Sequence, residues 1–317
     1  FASVINRGEL AIIHQVGYSG EVAGLESGML LLAVKGKTVE EVVSTNEDPK
    51  ISGSTPWMKK IKAYDNLMVI PEDPTENLVV KVIDQEGVEK NIEIELLEPP
   101  ANWQIKPIDH PAVVWEKITD DIGYIRVDRL WNNGDDILAD FDLALNHLIN
   151  MKGIILDLRL NGGGDSKIGE KIAGRFLLEP FIYGQDFFRK RLFKFAWRES
   201  IQYTVKPRMD VYTGELVVLT DYTVMSSAEW LVGALVDSNR AISIGRVTGG
   251  ASGNPIHFSL PGGTVRYSTA MFIRPDGSLV EGRGYAPRIE IEWDTEDYIN
   301  KIDPDIQAAI EWIESQD

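Results

Sequence analysis

The sequence has no cysteine, which excludes disulfides, thiolate metal sites and a cysteine nucleophile together. Histidine is scarce: only His14, His110, His147 and His257 occur, and no two have the spacing that sets a pair of imidazoles on one helical face. No metal site and no cofactor is therefore expected. Long apolar runs are missing as well, so no membrane-spanning helix is predicted. Positive charge is in deficit, with 32 Lys and Arg against 49 Asp and Glu and a net charge of −17, which opposes nucleic acid and anionic membranes as partners. What is present is a chain of 317 residues, 44% of them hydrophobic, enough for two domains with cores of their own.

Residues 1–100 read as a β-rich domain. Apolar runs at 10–13 and 30–34 flank the segment Val22-Ala-Gly-Leu-Glu-Ser-Gly28, and alternation at 78–83 and 92–97 around Gln85-Glu86-Gly87 has the pattern of a hairpin. Pro99-Pro100 denies helix continuation and ladder donors, and reads as a linker. Residues 101–317 alternate strands with helices, which favours a layered α/β core. Strands are predicted at 122–127, 153–158 and 216–220, within 186–205, and near 241–245, 255–260 and 265–273. Helices are predicted at 137–149, 168–177, from Ser226 onward, and at 304–314.

Two junctions follow buried strands and leave backbone N–H groups at an element end, where anions are held. The first is Asp157-Leu-Arg-Leu-Asn-Gly-Gly-Gly164. Its glycines let the backbone approach a substrate carbonyl, as an oxyanion hole requires, or simply turn strand into helix. A phosphate cradle is excluded because the sequence continues without the GxxxxGK spacing. The second junction is Ser226-Ser-Ala-Glu229. It reads either as a capping box, with hydroxyl and carboxylate satisfying helix N–H groups, or as a nucleophilic serine at a helix N-terminus whose next N–H serves as an oxyanion donor.

The order and flanks of these junctions resemble the tail-specific, or carboxyl-terminal-processing, serine proteases, and more closely their tricorn-like branch. The resemblance runs from Ile122-Gly-Tyr-Ile-Arg-Val through the Asp157 and Ser226 motifs to Gly245-Arg-Val-Thr-Gly-Gly250, Leu260-Pro-Gly-Gly263, Pro275-Asp-Gly277 and Gly282-Arg-Gly-Tyr-Ala-Pro287. It implies a crotonase/ClpP-like (ββα) peptidase core behind an N-terminal PDZ-like domain. It further implies Ser226 as nucleophile and oxyanion donors from the N–H of Ser227 and of the glycine loop, best Gly163 with Gly164 in support. Substrate would meet Gly249 and Gly250 in the core and Gly24 and Leu25 in the PDZ-like domain. The implied partners are peptides and unfolded proteins, in the cell envelope, periplasm or outside the cell.

The pattern departs from the family at the general base. The lysine of the processing proteases falls at Ala251, whose methyl group accepts no proton. The tricorn-like branch uses a histidine ahead of the PDZ-like domain, expected here upstream of residue 1, with a glutamate matched by Glu281. Of the histidines present, His14 and His147 read as structural, while His110 and His257 have places near the site. An inactive peptide-binding homologue that lost its base is the alternative, and Ala251 is the residue that favours it. Acyl-CoA chemistry on the same scaffold is disfavoured by the Ser226 motif.

Overall fold

The computed structural model describes residues 2–44, 51–65, 67–68, 76–104, 111–189 and 197–316. The chain divides into two compact units, Phe1–His110 with Glu292–Pro304, and Pro111–Ile291 with Asp305–Asp317. Glu292–Pro304 thus lies with the N-terminal unit, not with the core in which the sequence reading counted it.

The first unit is built on strands β1 (Ala2–Arg7), β2 (Leu10–Val16), β3 (Leu30–Val34), β4 (Lys37–Thr38), β5 (Leu78–Ile83) and β6 (Glu89–Ile94), with helices α1 (Tyr18–Val22), α2 (Val39–Ser44) and α3 (Pro56–Asp65). The sheet runs β1-β2-β3-β5-β6, antiparallel throughout, with β4 paired to β3. Period-two side-chain alternation explains why one face is dry: Val4, Ile13, Leu31, Val80, Val82 and Ile94 pack with Ala63 and Tyr64 of α3. In the β5–β6 hairpin, Asp84 Oδ1 accepts from the N–H of Glu86 and Val88, and Gly87 takes φ +81°. Strand β1 and helices α2 and α3 were not expected from the sequence pattern.

The second unit carries β7 (Val113–Lys117), β8 (Ile122–Val127), α4 (Ile137–Leu148), β9 (Gly153–Asp157), α5 (Ser166–Ala173), β10 (Phe181–Arg189), β11 (Trp197–Val205), β12 (Glu215–Thr220), α6 (Ser227–Val236), β13 (Ile242–Gly245), β14 (Pro255–Leu260), β15 (Gly263–Ser268), β16 (Ala270–Ile273) and β17 (Ile289–Glu290). Its main sheet has the order β17-β13-β12-β9-β8-β7, parallel except for the β7–β8 pair. A parallel sheet is covered on both faces, so its central strands are apolar without interruption. Ile154 and Leu156 face the cluster that includes Phe141, Ile172 and Leu231, while Ile155 between them faces Ala309 and Ile313 of α8 (Pro304–Glu314). The remaining strands form a three-stranded sheet, β11-β10-β16, and the β14–β15 hairpin. The second unit is α/β, as expected. Helix α5 begins earlier than predicted, because Asp165 caps it by accepting from the Lys167 N–H, and it ends earlier, with Gly174 as its C-cap. A further helix, α7 (Thr295–Ile299), opens on Asp294 and Asp297 in a reciprocal capping box and belongs to the first unit.

At the C-terminal end of β9 a dry ionic cluster ties α8 to the sheet. Arg159 donates to Asp157 at 2.9 and 2.6 Å and to Asp305 at 2.7 Å. Arg246 donates to both Asp305 oxygens at 2.6 and 2.8 Å, and the Tyr124 hydroxyl to Asp157 at 2.8 Å. All four charged side chains are buried, and such charges are tolerated when each is matched by opposite charge and hydrogen bonds. Asp157 and Arg159 are therefore structural partners.

Candidate active site

Beyond Asp157 the chain reverses through Leu160 at φ +69° and Gly163 at φ +95°. Asn161 holds this turn. Its Nδ2 donates to Val127 O at 2.8 Å, and its Oδ1 accepts from the Gly163 N–H at 2.9 Å. The turn is also tied to the end of β8, since Leu130 N donates to Gly163 O and Asp165 N to Leu130 O.

The second junction meets the first here. Met225 N donates to Asn161 O at 3.2 Å. A Cβ placed on Gly163 would lie 2.8 Å from Ser226 Cβ, 2.8 Å from Met225 O and 3.1 Å from Ser227 N. Glycine is required for this approach as well as for the φ. Ser226 precedes α6 at φ +58°, ψ −132°, a strained conformation for a residue with a Cβ, and such strain concentrates at functional sites. Its own N–H donates to Ala251 O at 3.2 Å. Its hydroxyl caps no helix N–H and makes no hydrogen bond among the described residues.

The structure corrects several expectations. The Gly163 N–H is spent on Asn161, so Gly163 contributes close approach rather than a donor. Among the described residues, the N–H groups of Gly164 and Ser227 have no intramolecular acceptor. The capping box at Ser226 is absent. Glu229 instead turns inward, fully buried, and accepts from Thr248 Oγ1 at 2.5 Å, Gly250 N at 2.8 Å, Ala251 N at 3.0 Å and Ser252 Oγ at 2.6 Å. Burial pushes its pKa up, and the four donors pull against that rise. Gly249 and Gly250 are buried, with N–H groups directed to Val224 O and Glu229, so they shape the loop rather than face substrate. In the first unit, the N–H groups of Gly24 and Leu25 donate to Glu21 O and Gly20 O, and the Leu25 side chain lies in the core. Neither offers an amide to a peptide end.

Glu281 accepts from Ser252 N at 2.8 Å and from Ser268 Oγ at 2.9 Å. It thus braces the loop whose Ala251 carbonyl receives the Ser226 N–H. His147 stacks on Trp115, with centroids 4.8 Å apart. His14 lies within β2, and His257 is exposed on β14 opposite Arg266. His110 lies outside the described residues. The role of Asn161 was not expected from the sequence, although a lone amide between strand and glycines is a usable signal for a turn that locks itself.

Residues 121–291 match peptidase family S41. The carboxy-terminal-processing protease of Bartonella bacilliformis is 26% identical over 273 residues, which cover 82% of this chain and 56% of that protein. The chain spans about half the length of the curated relatives it matches. Among solved structures, mature CPAF complexed with lactacystin is similar over 100% of this chain and 84% of that one, with a TM-score of 0.70 at 14% identity. The photosystem II D1 C-terminal processing protease is similar over 92% and 72%, with a TM-score of 0.50 at 19% identity. These two likenesses show that the chain shares the mixed α/β fold of those structures. With more than half of its length in the family match, this chain belongs to peptidase family S41.

Proposed function

We propose that the chain is a serine endopeptidase that cleaves unfolded or C-terminal protein segments through an acyl-enzyme on Ser226. The observation that carries this reading is the contact of Gly163 with Ser226, which joins an uncommitted hydroxyl to two segments whose Ser227 and Gly164 amides are open. In the first step Ser226 Oγ bonds to the scissile carbonyl carbon and gives up its proton, and those amides receive the oxyanion. Collapse of the tetrahedral species breaks the C–N bond and releases the protonated amine. Water then cleaves the ester and restores the serine. Glu281 acts here as a positioning residue, and the group that takes the proton is not among the hydrogen-bond partners of Ser226 in the described chain. The N-terminal unit is read as PDZ-like, capturing an extended peptide by strand addition at β1 or β6, the edges of its sheet. An envelope, periplasmic or extracellular setting goes with this reading.

The test is labelling with an alkyl fluorophosphonate followed by peptide mapping. The adduct is expected on Ser226. A folded protein that stays unlabelled would support the catalytically silent peptide binder instead. Gly163→Ala is expected to lower turnover about a hundredfold, because the added methyl displaces Ser226 and positional errors near 1 Å carry that penalty. Initial rates normalised to the folded fraction by circular dichroism check it.

A further inference from the structure

We propose that Trp131 is a substrate-binding platform, taking an aromatic or large apolar side chain of the peptide next to the scissile bond. This deepens the peptidase reading and rests on it. Trp131 follows Leu130, whose N–H and carbonyl bracket the glycine turn through Gly163 O and Asp165 N. A Cβ on Gly164 would lie 3.0 Å from Trp131 N. The main chain of Trp131 is thus in contact with the glycine turn that touches Ser226.

The residue is 49% exposed, although Leu130 before it lies in the hydrophobic cluster of its unit. Single exposed apolar residues are common on protein surfaces and need no function. Trp131 differs because its ring is held. The Arg129 guanidinium carbon sits 5.2 Å from the ring centroid, within cation–π range. Arg129 is itself fixed, donating through Nε to Trp131 O at 3.2 Å and through NH2 to Asp135 Oδ2 at 2.5 Å. Asp135 Oδ1 in turn accepts from the Asn133 N–H at 2.8 Å. An indole oriented by an ion pair and left half open loses little freedom when a second ring or an aliphatic chain lies against it. The ion pair is internally neutral, so the platform selects for apolar surface rather than for charge.

Cleavage-site profiling tests this. The wild-type chain is incubated with a mixture of short peptides from a digested, denatured proteome, and cleavage products are sequenced by mass spectrometry. Phe, Tyr, Trp, Leu or Met is expected to be enriched over Ala about tenfold at one position beside the scissile bond. Trp131→Ala should flatten that ratio to about one, and Trp131→Phe should retain most of it. Because the ratio is internal to each variant, loss of folded protein does not mimic the effect. A wild-type profile with no such preference, or a Trp131→Ala profile that keeps it, overturns the platform while the peptidase stands. No cleavage together with no fluorophosphonate adduct on Ser226 overturns both.

Discussion

Replacing Ser226 by alanine is expected to lower peptide hydrolysis on the order of 10⁴-fold or more, since the other parts of a covalent machine retain little without the nucleophile. The same change should leave the melting curve almost unmoved. The Ser226 hydroxyl has no intramolecular partner among the described residues, so its removal orphans no buried group. Alanine carries the same Cβ into the φ +58° conformation, so the backbone strain is unchanged. A stability change within about 0.5 kcal/mol is the expected accompaniment. Hydrolysis of an unfolded protein by the two forms, with thermal melts alongside, decides the matter; equal rates would remove Ser226 from the mechanism.

Glu229→Ala is expected to be the most destabilising single change in the site. If the carboxylate were a helix cap, its loss would cost about 1 kcal/mol. Its actual surroundings argue for more. The substitution strands four donors, on Thr248, Gly250, Ala251 and Ser252, three of them buried, and each buried donor left without an acceptor costs about 1–3 kcal/mol. Turnover should fall with stability, because the loosened loop includes the Ala251 carbonyl that receives the Ser226 N–H. Glu229→Gln keeps the shape but turns one acceptor into a donor, and should fall between wild type and Glu229→Ala. Urea denaturation of the three proteins distinguishes cap from cluster by size alone.

The alternation of strands and helices was legible because buried parallel strands are short continuous apolar runs, as in 153–157 and 215–220. The helix at 304–314 was legible because Pro304 opens an amphipathic stretch. The two junctions were legible because a glycine turn and a serine before a helix each have a chemical reason to be there. Roles that depend on distant partners were not. Ser226-x-x-Glu229 has the spacing of a capping box, and nothing local reveals that Glu229 turns away toward residues 248–252. Likewise Asn161 claims the Gly163 N–H, so the donor passes to Gly164, a choice that three consecutive glycines conceal. In Gly249 and Gly250 the glycines read as substrate contacts, whereas their amides hold a loop in place. Serine itself carries no signal for positive φ, so the strain at Ser226 emerges only from the fold.

The short stretch Glu292–Pro304 packs with residues made almost three hundred positions earlier. Trp293 lies against Gly8 and under the Arg7 guanidinium, and α7 brings Ile299 to Gly87. During synthesis, then, β1 and β2 leave the ribosome long before Trp293 and α7, the later segment that packs against Arg7, Gly8 and Gly87. They must wait, with one flank unfilled, until Trp293 and Ile299 have been translated. Premature termination anywhere before Trp293 would therefore damage both halves of the molecule, and excising either half with a single cut would leave that half short of a piece or carrying one that belongs elsewhere.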